Sequence, residues 1–112
     1  MFKFVTIYQK VDDELALEEF FSSTHLPLAE ELPGLLRSEV SRVLGKPGGE
    51  SRFHLMYELY FASQQDYERA LLSDAGQQLI FALKDWYDAK IITWFYSESW
   101  EEEAVDRKER GL

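Results

Sequence analysis

The chain has 112 residues, of which 46% are hydrophobic and 15% aromatic, and its formal net charge is −9. This length predicts one domain, and so apolar a composition excludes a disordered chain. The negative charge, with no basic cluster before the carboxy-terminal tail, argues against nucleic acid or an anionic membrane surface as a partner. The chain has no cysteine, which excludes disulfides and thiolate chemistry.

The amino-terminal sequence MFKFVTIYQK lacks the basic-then-apolar layout of a signal peptide. No apolar run approaches the roughly 20 residues of a membrane span. We therefore expect a cytoplasmic protein with no membrane partner.

Residue patterns along the chain predict four strands and two helices. Runs rich in β-branched and aromatic residues predict strands at residues 2–9, 35–44, 52–62 and 91–100. The first helix begins at Asp12 or Asp13, whose carboxylates suit a helix amino terminus, and ends at Pro33-Gly34. The second begins at Ser63, is interrupted at residues 73–76 and continues to Trp86. Residues 1–100 form the predicted domain, and residues 101–112 form a mixed-charge tail expected to be a short helix or frayed.

The order β-α-β-β-α-β predicts an α+β, ferredoxin-like fold, a four-stranded antiparallel sheet with helices on one face. The other face of this sheet would carry Met56, Tyr60 and either Trp94 or Phe95. An apolar face of this kind is seldom left open to water. Face-to-face pairing of two sheets in a homodimer, as a dimeric α/β barrel, would cover it.

His25 is the first candidate for a functional residue. Apolar side chains recur at helical spacing on both sides of it, so the imidazole is expected at the edge of the apolar stripe of the first helix. Pro27 lacks an amide hydrogen and its ring crowds the carbonyl of Ser23, so the helix should kink or restart just beyond His25. Ser22, Ser23 and Thr24 could satisfy the freed backbone groups or hydrogen-bond the imidazole. The alternative is a histidine that only caps the kink.

Glu58 is the second candidate, because it lies in the middle of the apolar strand RFHLMYELYFA. A buried carboxylate costs several kcal/mol unless it is paired or hydrogen-bonded. Glu58 must therefore face water in a cavity or have a partner. The glutamate pairs at residues 18–19 and 30–31 are instead expected to face water.

Three strings of the sequence resemble the EthD family of the dimeric α/β-barrel superfamily. They are HLPL beginning at His25, LPGL beginning at Leu32, and FHLMYELYF beginning at Phe53. The likeness extends from about Phe2 to Trp100, and its most specific part is the His-x-Pro and Pro-Gly segment. The resemblance implies a homodimer, a small-molecule pocket between sheet and helices, and His25 as the motif histidine of the family. Similar domains include lactone isomerases and accessory proteins of ether degradation.

Two departures limit what this resemblance implies. Haem-degrading relatives use a histidine on the second helix, and residues 63–86 contain none, so haem degradation is disfavoured. The additional polar groups of the isomerase relatives have no counterpart that we can assign. Two histidines without cysteine are also too few for a usual zinc site, and we expect neither metal nor cofactor.

Two functions remain open at this level. The first is a cofactor-free enzyme of catabolism, such as an isomerase, lyase or monooxygenase-like enzyme, acting on a small apolar oxygenated molecule. In it His25, with a reference pKa near 6.5, would be the acid/base, and Glu58, Tyr8, Tyr57 or Tyr60 would orient the imidazole or bind substrate. The second is a non-catalytic accessory or ligand-binding module, in which His25 is structural. The predicted site combines His25 and Glu58 as catalytic residues with a substrate-binding set, namely Tyr8, Tyr57, Tyr60, Phe21 and Leu28.

Overall fold

The computed structural model describes residues 1–104 and contains one antiparallel sheet with helices on one face. Its elements are β1 (Phe2–Gln9), α1 (Glu14–Phe20), a π-helical turn (Phe21–His25), α2 (Leu26–Glu30), β2 (Arg37–Arg42), β3 (Phe53–Phe61), α3 (Gln64–Leu72), α4 (Asp74–Asp88) and β4 (Ile92–Glu98). The strand order β2-β3-β1-β4 confirms the ferredoxin-like α+β fold. The last three strands are shorter than predicted by one or two residues at most ends. Most of the predicted tail lies outside the described residues.

The inner face of the sheet, which the helices cover, is set by the pairing of β1 with β3. Opposite residues are Phe2 and Phe61, Phe4 and Leu59, Thr6 and Tyr57, and Tyr8 and Leu55. All eight are buried. The aromatic and aliphatic residues among them form the centre of the core together with Leu17 of α1 and Leu79 and Leu83 of α4. Burial of this apolar surface is the main stabilising contribution to the fold.

The first helical segment is irregular where the sequence predicted a break. Asp13 caps α1 by accepting from the amide of Ala16 at 3.0 Å. A π-helical turn then runs to His25, and Pro27 lies in the first turn of α2. Pro27 has no amide hydrogen to donate to the Ser23 carbonyl, and its ring crowds that carbonyl. The turn before the proline therefore departs from regular α-helical geometry. The hydroxyls of Ser22 and Ser23 donate to backbone carbonyls of the preceding turn rather than to the imidazole.

Ser73 alone separates α3 from α4, so the predicted four-residue interruption is wrong in length. The Ser73 hydroxyl accepts from the amide of Gly76 and thereby caps α4. A Cβ on Gly76 would lie 2.1 Å from the carbonyl oxygen of Ala70. The helix can thus begin directly after Ser73 because Gly76 has no side chain to collide with the end of α3.

The outer face of the sheet has no helix over it in the described residues. Val5 and Met56 lie on this face, and the register assigns Phe95 to it and Trp94 to the inner face. Phe95 is 44% exposed. Within one chain this face is therefore left open, as expected for a sheet whose cover would come from a second copy. None of the helices among residues 1–104 is long and apolar enough to cross a membrane.

Candidate functional site

His25 is completely buried, in contrast to the expected position at the edge of the apolar stripe. Its ring centroid lies 5.0 Å from that of Tyr57 and 5.4 Å from that of Phe21, both nearly perpendicular to it. On the sheet side, the Tyr8 hydroxyl lies 2.6 Å from His25 Nδ1. Three aromatic rings therefore enclose the imidazole between the π-helical turn and the inner face of the sheet.

The His25–Tyr8 pair is neutral at physiological pH. Burial lowers the pKa of His25 to about 3 and raises the pKa of Tyr8. The neutral Tyr8 hydroxyl donates its hydrogen to Nδ1 of His25. Nδ1 is then the acceptor nitrogen, so the hydrogen of the neutral imidazole is on Nε2. Desolvation disfavours the imidazolium, so this buried arrangement does not favour the predicted exchange of a proton near neutral pH.

Two buried polar atoms at this position have no hydrogen-bond partner among residues 1–104. They are His25 Nε2 and the Tyr57 hydroxyl, on adjacent rings. Burial also raises the pKa of Tyr57, so both groups are neutral donors. A buried donor without an acceptor costs about 1–3 kcal/mol, so two in one cluster need a physical explanation. We refer to His25, Tyr8, Tyr57 and Phe21 as the histidine cluster.

Strand parity separates the predicted site residues into two groups. Tyr8, Tyr57 and Phe21 meet His25, and half-buried Leu28 packs against the core from α2. Glu58 and Tyr60 alternate with Tyr57 and Leu59 along β3. They therefore lie on the outer face of the sheet, away from the helices.

Glu58 and Tyr60 have partners of their own on the outer face. Lys3 Nζ donates to Glu58 Oε2 at 2.7 Å, and the Tyr60 hydroxyl donates to Glu39 at 3.2 Å. The Arg37 guanidinium lies 3.8 Å from the centre of the Tyr60 ring. Glu58 therefore has the partner that its burial requires, but this partner is not His25. The prediction that Glu58 or Tyr60 orients the imidazole is not met within one chain.

An ion-paired bridge that the sequence did not indicate lies at one edge of the helical layer. Arg42 donates to Glu18 Oε1 at 2.6 Å, and His54 Nε2 lies 2.6 Å from Glu18 Oε2. The hydrogen bond from Arg42, assisted by His54, lowers the pKa of Glu18 to about 2. His54 is the extra residue of a β-bulge, because Tyr8 pairs with Leu55 and Gln9 with Phe53. We expected Glu18 to face water. Instead it pairs with Arg42 and His54 and so links α1 to the sheet.

The two cavities beside α4 do not coincide with the histidine cluster. Among residues 1–104 no group of three or more His, Asp or Glu side chains could hold a metal ion. Cavities of about 500 and 560 Å³ lie beside Tyr87, Asp88 and Trp94, on the α4 side of the molecule. His25 lines neither of them. The histidine cluster is thus packed, and a ligand can reach it only if neighbouring side chains move.

Comparisons with known proteins identify relatives of this chain. No family model matches the sequence. An uncharacterised 11.0 kDa protein from the thcB–thcC intergenic region of Rhodococcus erythropolis is 27% identical over 77 residues, which is 69% of this chain and 75% of that protein. The crystal structure of an ethyl tert-butyl ether d (EthD) family protein from Bacillus halodurans C-125 is 32% identical. It superposes with a TM-score of 0.79 over 89% of this chain and 99% of that one.

More distant structures share the fold alone. SnoaB, a cofactor-independent oxygenase from Streptomyces nogalater, is 14% identical, with a TM-score of 0.61 over 92% of this chain and 95% of that one. A dimeric protein of unknown function and ferredoxin-like fold from Bacteroides fragilis NCTC 9343 is 13% identical, with a TM-score of 0.57 over 88% and 95%. The identity to the Bacillus protein, over nearly its whole length, confirms the predicted resemblance: this chain belongs to the EthD family.

Proposed function

We propose that this protein is a homodimer that binds a small, neutral, oxygenated molecule at the histidine cluster. The observation that carries this proposal is the pair of unpartnered buried groups, His25 Nε2 and the Tyr57 hydroxyl. A carbonyl, ether or lactone oxygen accepts hydrogen bonds from both kinds of donor and would remove the penalty of leaving them unpaired. The aromatic rings of the cluster would contact the apolar part of the same molecule.

The protonation state of the cluster favours binding over acid–base catalysis. A histidine whose pKa is about 3 is neutral at pH 7, so it lacks the acidic imidazolium proton of a general acid and is a weak base. As a neutral hydrogen-bond donor it can still fix the position of a ligand oxygen. This arrangement supports a binding or accessory protein more than the acid/base enzyme that the sequence left open.

A catalytic role stays the second candidate because of one contact, the 2.6 Å hydrogen bond between Tyr8 and His25 Nδ1. If a bound substrate took the Nε2 proton and the Tyr8 proton passed to Nδ1 in the same step, the imidazole would stay neutral, and Tyr8 would become a phenolate that pairs with the newly protonated substrate until the proton returns. SnoaB, which shares the fold, is a cofactor-independent oxygenase. Turnover of the bound molecule that is lost in His25→Ala would favour this candidate.

The outer face of the sheet supports the homodimer. This face carries a surface of apolar and charged side chains that a second copy could cover. It consists of half-exposed Phe95, Ile7, Met56 and the Lys3–Glu58 pair. The Bacteroides protein of the same fold is dimeric. We expect native mass spectrometry to give a mass near twice 13.2 kDa.

The same measurement tests ligand binding. Protein isolated under mild conditions should carry a bound small molecule, and Tyr57→Phe should release it because the variant lacks one of the two donors. Lys84→Met on the exposed side of α4 is the control and should retain it. Equal ligand occupancy in wild type and Tyr57→Phe, or none in freshly isolated wild type, would contradict binding at the histidine cluster.

A further inference from the structure

The inner face of β2 is exposed although it lies on the side of the sheet that carries the helices. Val40 is 40% exposed and Ser38 is also exposed, as is Leu36, which directly precedes β2 and is 57% exposed. The corresponding residues of β3, Leu59 and Tyr57, are buried. The helical layer thus ends above β3. We call Leu36, Ser38 and Val40 the β2 strip.

The β2 strip adjoins the unpartnered hydroxyl of Tyr57. Val40 is the register partner of Tyr57, and side chains directly opposite on one face lie about 5 Å apart at Cβ. Burial raises the pKa of Tyr57, the nearby Ser38 side chain lowers it and the charge of Glu30 on α2 raises it, although the Ser38 hydroxyl does not meet the geometry of a hydrogen bond to Tyr57. The Tyr57 hydroxyl therefore lies toward the space between β2 and the end of α2, not toward the centre of the sheet.

The ends of the β2 strip are defined by fixed contacts. At one end Arg42 donates to Glu18 of α1, and His54 holds the same carboxylate. At the other end the chain leaves α2 through buried Leu32 and the turn at Gly34, whose φ of +80° suits glycine. Between these ends, partly exposed Val40 lies directly opposite Tyr57, whose ring contacts the ring of His25.

We infer that ligands reach the histidine cluster across the β2 strip, and that Ser38 and Val40 select which ligands enter. This inference rests on the proposed binding function and adds the route and the specificity residues. Val40 limits the width of a ligand beside Tyr57. Ser38 offers a hydroxyl to a second polar atom of the ligand, next to the oxygen bound by Tyr57 and His25.

The charge around the β2 strip narrows the ligand class to neutral molecules. Glu30 acts on Tyr57 from α2, and Glu18 lies at the far end with its charge balanced by Arg42. The cluster itself contributes only neutral donors, so a carboxylate would lose its hydration without gaining a cationic partner. The chain as a whole carries a charge of −9, which further disfavours anions. A neutral ketone, lactone or ether is the fitting class.

Carbethoxylation of His25 by diethyl pyrocarbonate tests this route with a reagent in place of the unidentified ligand. The reagent is small and neutral and attacks the lone pair of a neutral imidazole, which in His25 lies on Nδ1, so the reaction also requires the hydrogen bond from Tyr8 to open. Peptide mass spectrometry of the intact dimer, quenched at intervals, gives separate rates for His25 and His54. We expect Val40→Trp to slow the modification of His25 about tenfold and to leave His54 unchanged. Leu44→Trp, at a 97% exposed position beyond β2, is the matched control and should change neither rate.

The possible outcomes separate this inference from the proposed function. If His25 reacts and neither Val40→Trp nor Ser38→Trp slows it, the route is wrong but the ligand site stands. If His25 of the wild type reacts only as fast as the chain unfolds globally, measured by amide exchange of β1, the cluster is closed core and both proposals fail. Slowing by both β2 variants, with normal unfolding curves, supports the route.

Discussion

The two faces of β3 carry polar groups of opposite character. On the outer face Glu58 is charged and paired with Lys3 at 2.7 Å. On the inner face, one residue earlier, Tyr57 is neutral and its hydroxyl has no partner among residues 1–104. Both positions are buried, so burial alone does not distinguish them. A buried polar group that has a partner needs no ligand to account for its burial. A buried polar group without a partner indicates a place where a ligand can bind.

The largest expected change in the free energy of unfolding comes from breaking the Lys3–Glu58 ion pair on the outer face. Lys3→Met should lower the free energy of unfolding by about 3 kcal/mol or more, because it leaves Glu58 buried without its cation. Denaturant unfolding at several protein concentrations measures this change. Lys3→Met/Glu58→Leu should recover much of the loss, since both charges are then gone. Lys84→Met, which breaks an exposed pair with Asp88 on α4, should have no measurable effect.

A small loss in Lys3→Met, equal to that in Lys84→Met, would mean that water reaches the outer face. The sheet would then not be covered by a second copy, and the comparison between the two faces would have to be made for a monomer.

The second effect is a dependence of stability on pH that originates on the inner face. His25 has a pKa of about 3 when folded and near 6.5 when unfolded, so between these values the unfolded chain binds more protons. The contribution of His25 to stability is therefore complete only well above pH 6.5 and falls as the pH decreases, by about 2 kcal/mol between pH 6.5 and 4.5. Glu18, with a pKa of about 2, adds its own loss only below about pH 4.5.

Urea unfolding across this range measures the slope in wild type and in His25→Asn. The variant should show a flatter profile between pH 6.5 and 4.5. An equally steep profile in both proteins would mean that other groups cause the acid destabilisation and that His25 is not buried as a neutral ring.

The third effect distinguishes a satisfied hydroxyl from an unsatisfied one. Tyr8→Phe removes the donor to His25 Nδ1 and leaves that nitrogen buried without a partner. We expect a loss of about 1–3 kcal/mol in the free energy of unfolding. Thermal and denaturant unfolding of the ligand-free protein provide the measurement, and Phe4→Leu, a purely apolar change on the same strand face, is the control for packing. A Tyr8→Phe variant as stable as wild type would refute the hydrogen bond.

The smallest effect on stability is expected for Tyr57→Phe. This variant can therefore separate the loss of ligand binding from a loss of folding. Its hydroxyl makes no hydrogen bond in the described residues, so the ligand-free variant should match or slightly exceed the wild type, within about 0.5 kcal/mol. The stabilisation that a bound ligand gives to wild type should nevertheless disappear. If Tyr57→Phe is instead clearly less stable without ligand, its hydroxyl has a structural partner and no longer marks a site.

The fold followed from the sequence more completely than the site did. The apolar alternation of β1 and β3 and the caps at Asp13 and Ser63 are local signals, and the structure bears them out. Which face of β3 meets His25 is not local, because it depends on the register with β1. The sequence therefore left Tyr8, Tyr57, Glu58 and Tyr60 as equal partners for the imidazole.

The remaining differences have the same origin. The pairing of Glu18 with Arg42 and His54 joins residues 24 and 36 positions apart, and no helical or strand period links them. The full burial of His25 depends on how the rings of Tyr8, Phe21 and Tyr57 close around it. A periodic pattern can place a residue near an apolar stripe, but it does not indicate how many rings will cover it.

The most direct test of the central claim is a high-resolution crystal structure of the freshly isolated protein, inspected at His25 Nε2 and the Tyr57 hydroxyl. We predict an organic molecule with an oxygen in hydrogen-bond range of these two groups, roughly 2.6–3.2 Å, and its apolar part directed toward Val40. A direct hydrogen bond from Tyr57 to another protein atom, or a single enclosed water that satisfies both groups, would contradict the account. Either of these findings would make the histidine cluster a structural part of the core.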